Sequence, residues 1–324
     1  MRLEKIRNIS VLGAGTMGHG IAQTFLMGGY PVRLYDVKEA ILKNARVHIQ
    51  KNLELFCQAG LIKKQAIKPA LGKLTTTTDL EQAVAGSDFI VEAAPENLKL
   101  KQDLFQKVES FCRKEAILAS NTSSLTLKEM GVRVKNKARL VVTHWFNPPH
   151  IVPTVEVVRG KETSQETLKT TYQLMTRLRK MPVLVNKELP GFIVNRIQVA
   201  MVREVFDLYE KGVATAADID RAVKGSFGFR LASIGPLLTA DLGGLDVWYQ
   251  AGQNLLPQIK SSTKPSQTLK RLVAQGHLGV KSGRGFYNYA VDFSKAELDD
   301  LIQKRDREFL NRLKTLYWNP QKSG

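Results

Sequence analysis

Gly13-Ala14-Gly15-Thr16-Met17-Gly18 forms a G-x-G-x-x-G, and its surroundings leave few folds open. A short apolar run, Arg7–Gly13, leads into it, and a helical pattern, Thr16–Gly28, leads out. A second strand-like run, Pro31–Tyr35, closes on Asp36, eighteen residues after Gly18. Strand, glycine loop, helix, strand and acid in this order make a dinucleotide-binding arrangement. Gly13 permits the tight turn, Gly15 lets the backbone approach a pyrophosphate, and Gly18 lets helix and strand pack closely. Thr16 and Met17 open the helix, whose N-terminal amides and positive dipole end suit the phosphates. Asp36 would accept hydrogen bonds from an adenine-ribose diol and repel a 2′-phosphate, so NAD is expected over NADP. Arg33 is a weaker counter-signal, because it lies along a strand.

The alternation continues. Asp88–Glu92, Ala116–Ala119, Arg139–His144 and Val183–Val185 read as further strands, and Lys38–Ala59, Asn97–Cys112 and Ser164–Arg179 as the helices between. The helix at Ser164 is expected to open with a capping box, Thr163-x-x-Glu166. Strands alternating with helices imply parallel pairing through crossovers, hence an α/β fold with a Rossmann-type doubly wound sheet. Past Leu189-Pro190-Gly191 helical spacing takes over, as in Val194, Ile197, Met201, Val205 and Leu208. The expected division is a dinucleotide-binding domain at 1–188, an all-helical substrate and dimerisation domain at 189–289, and a helical extension at 290–324. Thr215-x-x-Asp218 and Ser294-x-x-Glu297 mark helix starts.

Composition removes several function classes. The 324 residues are 43% hydrophobic and 24% charged, enough for a real core and too apolar for a disordered chain. Cys57 and Cys112 cannot form a disulfide framework or a four-cysteine zinc site, and no His/Cys/Asp/Glu spacing suggests a metal. Asn8–Val32 lacks charges, but its six glycines, His19, Gln23 and Pro31 make it a poor membrane helix. A cytoplasmic protein without a membrane partner is expected. The net charge of +18 favours an anionic partner. With basic and acidic residues interspersed and no nucleic-acid motif, that partner is read as a small anionic substrate.

Unusual polar residues sit at strand ends. Ser120-Asn121-Thr122-Ser123-Ser124 follows one strand and His144-Trp145-Phe146-Asn147-Pro148-Pro149 another. Glu156 lies inside the apolar run Thr154–Val158, where an unpaired buried carboxylate would be costly. Asn195 stands where the helical domain opens. Ligands of open α/β sheets bind beyond the carboxyl ends of the strands, so these groups could share one crevice. Taken singly, Ser123 could be a helix cap and Asn195 a helix residue with a local bond.

These segments resemble the L-3-hydroxyacyl-CoA dehydrogenase family, from about residue 7 to residue 289. The resemblance is carried by GAGTMGHGIAQ at 13–23, ENLKLK at 96–101, SNTSSL at 120–125, HWFNPP at 144–149, VEVV at 155–158, PGFIVNRI at 190–197, ADLGGLD at 240–246 and SGRGFY at 282–287. It implies an NAD-dependent enzyme, a homodimer, that interconverts an L-3-hydroxyacyl-CoA and its 3-ketoacyl-CoA. By resemblance, His144 is the acid/base and Glu156 its partner, and Ser123 and Asn195 bind the substrate oxygens. Glu96 and Lys101 contact the nicotinamide ribose, and Asn147 supports the His144 loop. Where short-chain members carry a serine and a lysine for the CoA moiety, this chain has Asn52 and Ala59. That departure leaves a hydroxy acid or sugar acid without CoA as the alternative substrate.

Overall fold

The computed structural model describes residues 2–292 and 294–318. They form two compact units, one running to Ile193 and resumed from Arg305, the other Val194–Lys304. The first holds an eight-stranded sheet in the order β3-β2-β1-β4-β5-β6-β7-β8. The strands are β1 (Ile9–Leu12), β2 (Val32–Tyr35), β3 (Leu74–Thr77), β4 (Phe89–Glu92), β5 (Ile117–Ser120), β6 (Leu140–Trp145), β7 (Thr154–Val158) and β8 (Met181–Val185). Its helices are α1 (Gly18–Met27), α2 (Glu39–Gln58), α3 (Ile67–Gly72), α4 (Leu80–Val84), α5 (Leu98–Phe111), α6 (Leu127–Met130) and α7 (Gln165–Arg177). Along β4, Phe89 and Val91 join one apolar cluster with Phe25, Ile49 and Leu174, while Ile90 joins another with Phe105, Val108 and Met130. A sheet covered on both faces needs apolar residues at every strand position, which is why β1, β4 and β5 are buried throughout.

The expected all-parallel sheet needs one correction. β7 pairs antiparallel with β6, then parallel with β8. Only residues 146–153 join β6 to β7, too few for the crossover that a parallel pair requires. The antiparallel register sets His144 directly opposite Glu156. β3, a threonine-rich edge strand, was not among the expected elements. The helix after β7 is capped by Ser164, which accepts from the Thr167 amide. Thr163, read as the cap, lies one residue too early: its buried hydroxyl donates to Leu140 O at 2.7 Å and accepts from Gly160 N at 3.0 Å.

α2 buries Leu42, Ala45, Ile49, Leu53 and Phe56, one stripe at helical spacing. The end of that stripe meets residues from the far end of the chain. Leu310 and Leu313 form a third apolar cluster with Phe56 and Ile151, each leucine contributing about 1.5–3 kcal/mol on burial. The Trp318 ring lies 6.1 Å from that of Phe56, tilted by 59°, and its Nε1–H donates to Arg179 O. Lys314 Nζ donates to Ala59 O at 3.1 Å.

The second unit contains α8 (Val194–Glu210), α9 (Ala216–Gly225), α10 (Phe227–Leu231), α11 (Pro236–Gly243), α12 (Leu245–Leu255), α13 (Gln267–Ala274), α14 (Tyr289–Asp292) and the start of α15 (Lys295–Arg312). Thr215 and Ser294 cap as their spacing predicts, each accepting from the amide three residues on. Asp207 pairs with Lys211 at 2.6 Å and Lys260 at 2.9 Å. Phe206 stacks on Phe286 at 5.3 Å. Among the described residues, strand-like pairing in this unit is one isolated bridge, Gly279 with Arg284. Residues 319–324 of the expected extension lie outside the described residues.

Candidate active site

β1, β4, β5 and β6 run parallel, so their carboxyl ends share one edge of the sheet. The glycine loop, Glu92, Ser120 and His144 all stand there, each delivered by its own strand. Gly13 adopts φ +99°, and a Cβ there would lie 2.6 Å from Ala93 O. A Cβ on Gly18 would lie 1.7 Å from Gly13 O, so helix and loop can approach this closely only without a side chain. Gly15 is different: a Cβ there would meet no atom within 4 Å. Its position opens on free space beside a helix whose N-cap, Met17, makes no side-chain capping bond. Open space at Gly15 and an uncapped N-terminus fit a pyrophosphate. Asp36 accepts from Ala14 N at 2.9 Å and Lys38 N at 3.1 Å, so it also braces the loop. Thr16 is exposed and Met17 half-buried at the same turn.

The sheet register makes the central pair. His144 and Glu156 are both buried, and His144 Nδ1 lies 2.7 Å from Glu156 Oε2. A carboxylate can only accept, so Nδ1 carries the proton and Nε2 holds the free lone pair. The other carboxylate oxygen, Oε1, accepts from Ile193 N at 2.9 Å. Phe146 and Phe192 flank the imidazole at 4.5 and 5.6 Å. Phe192 sits at φ +48°, a left-handed conformation that strains a bulky residue. The anchored Ile193 amide and the burial of its own ring hold it there.

A second carboxylate network organises the loops beside this pair. Glu96 Oε1 accepts from Thr122 Oγ1 at 2.6 Å, Ser124 Oγ at 2.9 Å and the amides of Ser123 and Ser124. Ser123 Oγ lies 3.4 Å from the same oxygen. Burial alone would raise the Glu96 pKa. The Thr122 hydroxyl, the Lys101 ammonium, the Ser124 hydroxyl and the Ser123 amide together outweigh it and hold the carboxyl at about 2. The helix after this turn is capped by Thr126 in a capping box with Glu129, so Ser123 is not its cap.

Several structural participants had no sequence assignment. Glu92, fully buried, accepts from Lys101 Nζ at 2.6 Å, Ala94 N at 2.7 Å and Ser120 Oγ at 2.5 Å. Lys101 is 1% exposed and reaches Glu96 Oε2 at 3.3 Å. Asn121 Oδ1 accepts from Trp145 N and ties the end of β6 to the serine turn. An acid ending an apolar strand nine residues before a lysine was the available signal for Glu92. Asn147 is exposed, with a cis peptide bond to Pro148. Asn195, in the first turn of α8, belongs to the second unit. The structure thus joins His144 to Glu156 and Glu96 to both Ser123 and Lys101. Among the described residues, no group of three or more His, Cys, Asp or Glu could hold a metal ion, and no helix is long and apolar enough to cross a membrane.

A glycine loop shaped for a pyrophosphate and a buried histidine–carboxylate pair on one sheet edge define an NAD-dependent oxidoreductase. Residues 8–189 match the model of the 3-hydroxyacyl-CoA dehydrogenase NAD binding domain, and residues 191–289 that of the 3-hydroxyacyl-CoA dehydrogenase C-terminal domain. The chain belongs to the 3-hydroxyacyl-CoA dehydrogenase family. It is 33% identical over 291 residues to 5-formyl-3-hydroxy-2-methylpyridine 4-carboxylate 5-dehydrogenase of Mesorhizobium japonicum, covering 90% of this chain and 93% of that protein. The crystal structure of an enzyme of that name, described as an NAD+-dependent dismutase, matches with TM-score 0.89 and 31% identity, over 96% of this chain and 98% of its own. (S)-3-hydroxybutyryl-CoA dehydrogenase of Ralstonia eutropha matches with TM-score 0.73 and 32% identity, over 90% of this chain and 100% of its own.

Proposed function

We propose that the protein oxidises the hydroxyl of a small anionic substrate reversibly, with His144 as acid/base and Glu156 as its partner. The observation that carries this reading is the 2.7 Å contact between His144 Nδ1 and Glu156 Oε2. Gly13, Gly15, Thr16, Met17, Gly18 and Asp36 would hold the dinucleotide, with Glu96 toward the nicotinamide ribose, Lys101 acting through Glu96, and Asn147 supporting the His144 loop beside it. NAD held there would supply the acceptor for the hydride of the carbinol carbon. His144 Nε2 takes the hydroxyl proton as the C–O bond becomes a carbonyl, and Glu156 stabilises the imidazolium that results. Ser123 and Asn195 donate to the substrate oxygens. In the reverse direction His144 returns the proton.

The family favours an L-3-hydroxyacyl-CoA as substrate. The local structure favours a free hydroxy compound, and we place that reading first. The α2 surface around Ala59, where CoA-using members carry their lysine, is covered by the chain's own Leu310, Leu313 and Lys314. Those residues lie beyond both family-model matches, the second of which ends at residue 289. The pyridine-carboxylate dehydrogenase matches with TM-score 0.89, against 0.73 for the (S)-3-hydroxybutyryl-CoA dehydrogenase. A screen of NADH oxidation with acetoacetyl-CoA, acetoacetate and aromatic carboxylates bearing an aldehyde tests this. A thioester preference above about tenfold in kcat/KM refutes the first reading and supports the second.

We divide the chain by role into a dinucleotide part at 1–188, a substrate and dimerisation part at 189–289 and the extension from 290. A homodimer is supported by α11 and α12, which leave Leu237 82%, Leu242 72% and Tyr249 68% exposed, apolar surface that a second copy would cover. A cytoplasmic setting is supported by the two free cysteines.

A further inference from the structure

Lys180 is a buried cation that the proposed chemistry does not use. It stands immediately before β8, and its Nζ donates to Pro149 O at 2.6 Å and to Val152 O at 2.8 Å. The same ammonium lies over the Trp145 ring, 5.3 Å from its centroid. Among the described residues it has no carboxylate within ion-pair distance. Burial pushes its pKa down to about 7. A charge kept in such a place without a counter-ion is costly unless its donors are used. Here they are used on one segment, the loop 146–153 that returns the chain from His144 to Glu156.

The loop is also held by Ile151, buried in the third apolar cluster, and at its end by Pro153 O, which accepts from Met181 N at 2.8 Å. Ile151 N and Val152 N both bond to Pro148 O, closing a turn inside the loop. Lys180 bonds the outer carbonyls of that turn to the body of the unit. At its start the loop carries Phe146, whose ring packs 4.5 Å from the His144 imidazole, and Asn147. We propose that Lys180 is a positioning residue for the reaction. Its ammonium clamps the loop 146–153, and through Phe146 and Asn147 it fixes the setting of His144. This rests on the function proposed above, but the clamp itself is measurable without turnover.

The test compares wild type with Lys180→Met and Lys180→Arg. In Lys180→Met, hydrogen exchange at the Ile151 and Val152 amides rises by about tenfold or more, while α1 and β1 amides exchange as in wild type. NADH affinity stays within about twofold and kcat for NADH oxidation, with the preferred of acetoacetate and acetoacetyl-CoA, falls by about tenfold or more. Lys180→Arg, which keeps a cation with several donors, recovers part of both losses. If Lys180→Met does not fold, Lys180→Gln is held to the same criteria. Unchanged exchange at Ile151 and Val152 overturns the clamp, and unchanged kcat in a variant with a loosened loop overturns its role in the reaction. A wild type without turnover on any acceptor tells against the enzymatic reading alone, because the exchange data still decide whether Lys180 holds the loop.

Discussion

Glu156→Gln is the most informative single change, because it alters charge at nearly constant volume. Glu156 is fully buried and both carboxylate oxygens are engaged, Oε2 by His144 Nδ1 at 2.7 Å and Oε1 by Ile193 N at 2.9 Å. A carboxamide cannot serve both partners. With its oxygen toward Ile193 N, its NH2 meets Nδ1 and forces the proton to Nε2, the wrong tautomer for a base. With its oxygen toward Nδ1, the NH2 opposes the Ile193 amide in a buried site. Either way, about 1.5–3 kcal/mol of charged hydrogen bonding is lost, and the developing imidazolium loses its counter-charge. At about 1.4 kcal/mol per tenfold, kcat should fall by roughly tenfold to 150-fold.

The assay is NADH oxidation with the best acceptor found, followed across pH, beside NADH affinity measured by fluorescence. NADH affinity should be nearly unchanged, since Glu156 is not on the dinucleotide side of the site. The pH profile of kcat should change shape, because the imidazolium formed in turnover has lost its counter-charge. A kcat within about threefold of wild type with an unaltered profile would refute the dyad.

Two other outcomes follow from the same coordinates. Burial, helped by the charges of His19, Lys180 and Arg305, pushes His150 from 6.5 to about 3. The unfolded chain therefore takes up this proton first, and the fold loses stability as pH falls from 6.5 toward 3. Between about pH 7 and about pH 5 the loss from this group is about 2 kcal/mol. His150→Leu should remove it, since Nδ1 has no partner to orphan; urea midpoints that fall equally in both proteins over that interval would contradict the assignment. Asp36→Asn, which keeps an acceptor for Ala14 N, should weaken NADH by about tenfold while leaving NADPH the same or tighter, by calorimetry. Equal losses for both would remove Asp36 from the ribose site.

Local chemistry was readable along the chain, and direction was not. The glycine loop, the β1–α1–β2 order and the caps at Thr215 and Ser294 depend on neighbours within a few residues, and the structure holds them as expected. Whether β7 runs with or against β6 depends on how eight residues fold back, and apolar periodicity is the same either way. Thr163 and Ser164 both fit a cap by spacing. What separates them is the Leu140 carbonyl, which occupies Thr163 and is remote in sequence. Glu92, Lys180 and the enclosure of Lys101 are hidden in the sequence for a similar reason. Charged residues at strand and helix ends ordinarily read as solvated, and only packing shows that these three are enclosed.

The antiparallel turn is the device that makes this site from a generic sheet. On a parallel sheet, successive strands bring their carboxyl ends to one edge, but their side chains arrive from separate crossovers and need separate supports. Here β6 and β7 are joined by a loop short enough for one carboxylate, placed by register, to face the imidazole directly. The same carboxylate holds Ile193 N, at the last residue before the second unit begins. A shift of one residue in the β6–β7 register would turn Glu156 to the other face of the sheet and leave two buried polar groups unpaired. The register is therefore protected by the penalty for breaking the buried His144–Glu156 pair, and the pair is positioned by the register. Lys180 and Asn121 extend that mutual support to the two ends of the turn, one at Pro149 and Val152, the other at Trp145 N.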